Sequence, residues 1–402
     1  MKKFLLSFFS FCVLFASDLF AGNIANVEYI HGVIENKTGI KIPYSNKLPS
    51  PKVAANMEYL LYLVDYTNYL LNDNVKTTNY VDSEYATTVA VDSDTVNKLV
   101  DKLVKRTETF NGFTIKTTYN TNSFDFNISA AGHYTIDWGD GEKTEFNKNN
   151  TLVQNYSHTY EDTGAYTIKI SGGTFAYNNS VNTAAISFAS NKNIEKIYGS
   201  LGTVFGTVAD GQQPQFYQTF YNCTNLTGVI PSDLFNGIYG QPVDAMFMET
   251  FSGAYRLSGQ IPDRLFAKIS GNATENLFSG TFYNCSGLTG NIGKDLFTGI
   301  TGDPKTGVFY RTFYNCTGLS GIPESLFGKF TGLANWMFYE TFYNCTNLKS
   351  QSAKVAGKYL YDIWPNATVM QIWNMYGKDK NLSDYECIPK DWGGLGNQCD
   401  DN

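Results

Sequence analysis

The chain has 402 residues, with 30 Lys and Arg against 37 Asp and Glu for a formal net charge of −7. That acidity excludes a nucleic-acid binder, which needs a basic face, and simple electrostatic adsorption to anionic membrane. The length leaves room for two or three domains.

Lys2 and Lys3 precede an apolar run from Phe4 to Phe15, and the small residue Ala21 offers a cleavage point. This is the pattern of an export signal over residues 1–21, and the run is too short to span a bilayer as a helix. Removing Lys2, Lys3 and Asp18 takes the net charge from −7 to −8. No later segment reads as transmembrane. Cys12 leaves with the signal. The other cysteines then reach an oxidising compartment where disulfides can form. Cys387 and Cys399 flank "IPKDWGGLGNQ" and are candidates to close a small C-terminal loop.

Residues 22–110 carry the helical signal. Ser50 and Pro51 read as N-cap and first helical position, and Val53, Met57, Leu60, Leu61 and Val64 follow at helical spacing. Val96, Leu99, Val100, Leu103 and Val104 form a second apolar face.

Residues 111–175 change to short alternating strands such as "GFTIKTTY", "GHYTIDWG" and "GAYTIKISG". "WGDGE" is a turn between two of them. Asp137 and Asp140 beside it can be read as calcium ligands or as carboxylates that satisfy the turn's own amides; the second reading is preferred. His158 reads as a hydrogen-bonding residue rather than a catalytic base. "YTIDWGDGE" followed by "YSHTYEDTGAYTIKI" resembles the polycystic-kidney-disease (PKD) type β-sandwich. The shared positions are Gly139, Asp140, Gly141, His158, Tyr160, Gly164 and Tyr166. The resemblance implies an Ig-like sandwich acting as a spacer or support.

From residue 176 the chain repeats itself. "TFYNCTNLTG" at Thr219 recurs as "TFSGAYRLSG" at Thr250, "TFYNCSGLTG" at Thr281, "TFYNCTGLSG" at Thr312 and "TFYNCTNLKS" at Thr341. The period is 31, 31, 31 and then 29 residues. A fixed period of this size predicts stacked units that bury one another's apolar faces. The expected repeat core is Phe220, Cys223, Leu226, Phe251, Phe282, Cys285, Leu288, Phe313, Cys316, Leu319, Phe342 and Cys345. Phe188, Asn193 and Ile194 read as part of an opening coil. Residues 376–402, with Leu382, Ile388, Pro389 and Trp392, read as a capping repeat. The phrase resembles the leucine-rich-like repeats of BspA-type bacterial surface proteins, over roughly residues 186–392. That resemblance implies a secreted or surface adhesion protein.

The expected fold class is therefore multidomain. A small α-helical N-terminal region (22–110) precedes a PKD-like β-sandwich (111–175), and a leucine-rich-repeat-like solenoid of about 31 residues per coil follows (176–375).

Ala254 takes the cysteine slot in the second copy, which packing tolerates and metal binding or catalysis does not. Cys223, Cys285, Cys316 and Cys345 are thus expected as a buried column, with inter-coil disulfides and a metal site as the alternatives. Neither a metal nor a cofactor is expected. Tyr221, Tyr283, Tyr314 and Tyr343 recur beside the inward Phe and are the candidate binding residues, with rim packing as the alternative. The leading functional expectation is an exported, non-enzymatic recognition or adhesion protein with a protein or glycan ligand, host molecules included. A secreted polysaccharide-active hydrolase and a structural surface-assembly protein are the other classes weighed. The sequence carries no nucleic-acid partner signal and does not set the oligomeric state.

Overall fold

A computed structural model describes residues 110–178, 182–209 and 211–398. The expected signal segment and the helical region up to residue 109 lie outside the described residues, as does Cys399.

Eight strands build a sandwich. They are β1 (Phe113–Thr117), β2 (Thr121–Ile128), β3 (Ala131–Asp137), β4 (Lys143–Lys148), β5 (Gln154–Gly164), β6 (Thr167–Ala176), β7 (Ile186–Ser187) and β8 (Ile194–Gly199). One sheet has the order β4-β3-β6-β1-β8 and the other β5-β2-β7, and every pairing is antiparallel. Alternation sets the faces: Phe113 and Ile115 of β1 point inward, as do Phe124, Phe126 and Ile128 of β2 and Tyr134 and Ile136 of β3. Trp138 closes this core beneath the "WGDGE" turn. The turn needs two glycines because Gly139 and Gly141 sit at φ 89° and 108°.

The repeats follow a different rule. In "FYQTFYNC", amides alternate between two destinations. Thr219, Tyr221 and Cys223 donate to the carbonyls of Phe216, Gln218 and Phe220 three residues back, at 3.2 Å each. Phe220 and Asn222 donate instead to Thr250 and Ser252 of the next repeat, both at 2.7 Å. The run is a series of overlapping turns whose spare amides stitch one repeat to the next. Asn222, Asn284, Asn315 and Asn344 adopt φ of 53°, 59°, 60° and 62°. Asparagine is one of the few residues that tolerates this left-handed region; Gly253 takes the same place in the second copy at φ 78°.

This geometry corrects the expected fold class. A leucine-rich-like solenoid needs each repeat to give a strand to one continuous parallel sheet. Among the described repeat residues, parallel pairing is confined to β9 (Gly271–Asn272) with β11 (Ile300–Thr301), β10 (Gly290–Asn291) with β12 (Leu319–Gly321), and isolated bridges. The physical reason is the asparagine: a residue held at positive φ ends a strand, so the "TFYNC" phrase closes turns. Nor are sandwich and repeats separate bodies. The segment of Phe188, Asn193 and Ile194, expected to open the coils, carries β7 and β8 of the two sandwich sheets and the link between them. Phe188 and Ser190 also donate to Thr219 and Tyr221 of the first repeat at 2.8 and 2.6 Å. The rings of Phe113 and Phe220 lie 6.0 Å apart, so one core runs from the sandwich into the repeats. The helices among the described residues that are α-helical are single turns, α1 (Leu360–Ile363) and α2 (Val369–Ile372).

That core is laddered. Phe188, Phe220, Phe251, Phe282, Phe313, Phe342 and Tyr376 stack in series at 5.4–5.6 Å. Phe216, Phe247, Phe278, Phe309 and Phe338 form a second ladder at 5.5–5.9 Å. Threonine joins the stitching: Thr250, Thr281, Thr312 and Thr341 hydroxyls each donate at 2.9 Å to a second-ladder phenylalanine carbonyl of the preceding repeat.

Candidate functional site

The expected repeat-core residues all lie in the interior. Phe220, Leu226, Phe251, Phe282, Leu288, Phe313, Leu319 and Phe342 are fully buried, as are Cys223, Cys285, Cys316 and Cys345. These four cysteines are unpaired. Each thiol donates to the carbonyl of the ladder phenylalanine one repeat back: Cys223 to Phe188 (3.2 Å), Cys285 to Phe251 (3.1 Å), Cys316 to Phe282 and Cys345 to Phe313 (2.9 Å each). Burial pushes the Cys223 and Cys316 thiols up to about 12, and Cys285 and Cys345 well above the ordinary value. A thiol held neutral is a poor nucleophile and a poor metal ligand. The column therefore carries packing and one weak hydrogen bond per repeat. Among the described residues no group of three or more His, Cys, Asp or Glu side chains is placed to hold a metal ion. Cys387 is disulfide-bonded; its expected partner, Cys399, is outside the described residues.

The outward edge of the "TFYN" turns builds a polar and aromatic face. Tyr283 stacks on Tyr314 at 4.8 Å and Tyr314 on Tyr343 at 5.1 Å. All three, like Tyr221, are half-buried. Tyr221 stands outside this row, because the slot between it and Tyr283 holds Ser252. A parallel amide row runs beside the rings: Asn315 donates to Asn284 at 2.9 Å and Asn344 to Asn315 at 2.6 Å. Lys378 caps the tyrosine row 5.0 Å from the Tyr343 ring.

A second aromatic line lies alongside. Tyr310 stacks on Tyr339 at 5.6 Å, and Trp336 lies 6.4 Å from Tyr310. Arg311 bridges the two lines, 4.9 Å from the Tyr310 ring and 5.4 Å from Tyr314. Its guanidinium bonds Glu340 at 2.7 Å. Burial works against the Arg311 charge, but the Glu340 bond and charge outweigh it and hold the group further protonated. Burial likewise raises the Tyr310 and Tyr314 phenols, so both remain neutral donors at physiological pH. The face ends at exposed apolar side chains. Trp336 is 48% exposed and Met370 50%, and the Trp336 amide donates to the Met370 carbonyl at 2.7 Å. Trp373 follows at 37%.

Arg311, Glu340, Trp336, Met370 and Trp373 were not among the residues singled out from sequence. The signal for the first two was available in the column just before each Thr-Phe. It reads Gln218, Glu249, Gly280, Arg311, Glu340, and neighbours in it pair, as Gln218 with Glu249 at 2.6 Å.

In the sandwich, His158 stacks on Trp138 at 5.0 Å and bonds Asp140 at 2.7 Å. The two carboxylates serve the turn: Asp137 accepts from the Gly139 amide at 3.1 Å and Asp140 from the Glu142 amide at 3.0 Å.

The chain matches no family model, no curated protein and no solved structure. Among the described residues no helix is long and apolar enough to cross a membrane.

Proposed function

We propose that the protein is an exported, non-enzymatic recognition or adhesion protein that engages a protein or glycan ligand through the aromatic face of its repeats. The observation that carries this reading is the Tyr283–Tyr314–Tyr343 row, joined through Arg311 to the Tyr310 line, and the exposed Trp336, Met370 and Trp373 that follow that line. Tyrosine and tryptophan supply large contact area at low entropic cost, and arginine is enriched with them at binding hot spots. The rings are held in place before any partner arrives, so little ordering cost opposes association. The sandwich supports the reading as the body from which the repeats are displayed.

The test is a protein and glycan array with the full exported chain, followed by substitution. Trp336→Ala with Trp373→Ala is expected to weaken any ligand found by about 2 kcal/mol or more, the scale of a hot spot. A Tyr283, Tyr314 and Tyr343 triple change to Phe, which keeps the stack and removes its hydroxyls, is expected to weaken it less. Normal binding by the tryptophan pair, with an unchanged circular dichroism spectrum, places recognition elsewhere.

A further inference from the structure

The closing repeat contains two buried carboxyls of opposite character. Asp384 accepts from the Ser352 amide at 2.9 Å and its hydroxyl at 2.6 Å. Asp379 has far less support: both its oxygens are buried without a hydrogen bond of ordinary geometry, and the Cys345 amide, already bonded to Phe342, favours its charged form less than burial disfavours it. Its backbone reproduces the cysteine slot. The Asp379 amide donates to Tyr376 at 3.1 Å and its carbonyl accepts from Leu382 at 3.0 Å. Cys345 makes the same two bonds, to Phe342 and from Leu348, at 3.0 Å each. Tyr376 continues the ladder beyond Phe342 at 5.6 Å. Where the slot holds cysteine, its side chain donates a proton to the ladder carbonyl one repeat back, as Cys345 does to Phe313. By the same register the carbonyl facing Asp379 is that of Phe342, which already takes the Cys345 amide. A carboxylic acid can donate there as the thiols do, whereas a carboxylate meets that carbonyl with no proton of its own to offer and only the shared Cys345 amide to oppose the repulsion.

We propose that Asp379 is a proton-held latch for the C-terminal repeat, docking it on the fifth repeat as a neutral acid and releasing it on ionisation. Release bares an edge. The amides of Phe342 and Asn344 now donate to Met375 and Gly377 at 2.9 and 2.8 Å, and a row of freed donors is a template for another chain.

The titratable groups facing Asp379 are Cys345 from the fifth repeat, Tyr376 from its own and Tyr385 just beyond. All are acids that burial keeps neutral, so none offers a compensating positive charge. The flanking Lys378 and Lys380 are exposed, and Lys378 is turned to Tyr343. Burial raises the Asp379 carboxyl well above its ordinary value. The folded state therefore keeps a proton that the released state gives up. Docking is fully present below about pH 4 and weakens about tenfold for each pH unit above it, until the folded carboxyl ionises.

Hydrogen exchange of residues 374–394 in the full chain tests this from pH 4 to 8, corrected for intrinsic exchange. The wild type is expected to open about tenfold more for each unit of pH, while Asp379→Asn and Asp379→Cys are flat. The cysteine variant copies the residue in the neighbouring repeats and so keeps the slot filled if the asparagine variant does not fold. A flat wild-type profile overturns the proposal, as does an undiminished slope in the cysteine variant.

Discussion

In the sandwich each strand has its own partners: β3 pairs with β4 on one side and β6 on the other, in registers used once. In the repeats each phrase meets a near copy of itself, and Phe282 packs between Phe251 and Phe313 at 5.6 Å on both sides. The sandwich draws its specificity from dissimilar side chains fitted together, such as Trp138 against Phe126 and His158. The repeats draw theirs from one solution written several times. The two regions also place positive φ differently. The sandwich assigns it to turn glycines such as Gly139, where a Cβ would meet the Thr167 carbonyl oxygen at 2.6 Å. The repeats use glycine as well, but in the TFYN turns they assign it to asparagine and other polar residues such as Asn284, Arg311 and Glu340.

The comparison is broken most directly at the ladder. Phe282→Ala is expected to cost about 3–5 kcal/mol in chemical denaturation, because it removes the ring contacts with Phe251, Phe266 and Phe313 and leaves a cavity between near-identical neighbours. Asn284→Val is next, at about 1–2 kcal/mol, since a β-branched residue is strained at its φ of 59°. Asn284→Gly should cost less, since Gly253 is already used in that place and only the side-chain bond from Asn315 is lost. A valine variant as stable as the glycine variant would show that the turn geometry does not set this position. Cys285→Ala is expected to cost less than the valine change, about 1 kcal/mol for one hydrogen bond and little volume, because the second repeat already holds Ala254 there. A loss matching that of Phe282→Ala would show the thiol to be more than packing.

Much of the repeat was legible because period and apolarity report burial directly. The spacing of Phe220, Phe251, Phe282 and Phe313 is the spacing of the ladder itself. The backbone path was not legible, because Asn-Cys reads equally as a strand end and as a turn; only the alternating amide destinations decide between them. The opening segment misled for a related reason. Phe188 lies in register with Phe220 and also packs against Phe113 and Phe126 at 5.9 and 5.2 Å. A spacing rule sees the first role and has no access to the second. On the outer face, the tyrosine column was visible as a repeat. The salt-linked Arg311 and Glu340 were hidden because their column changes residue type from each copy to the next.

The alternating destinations of the amides have one more consequence. In the TFYN turns each inner repeat accepts on one side the backbone amide bonds that it donates on the other, so these two edges are mates of each other. Such a gene segment can be duplicated or lost in units of one period while the hydrogen bonds across the join still match. The reach of the molecule is then open to change by unequal recombination, with the sandwich at one end and the closing repeat at the other left as they are.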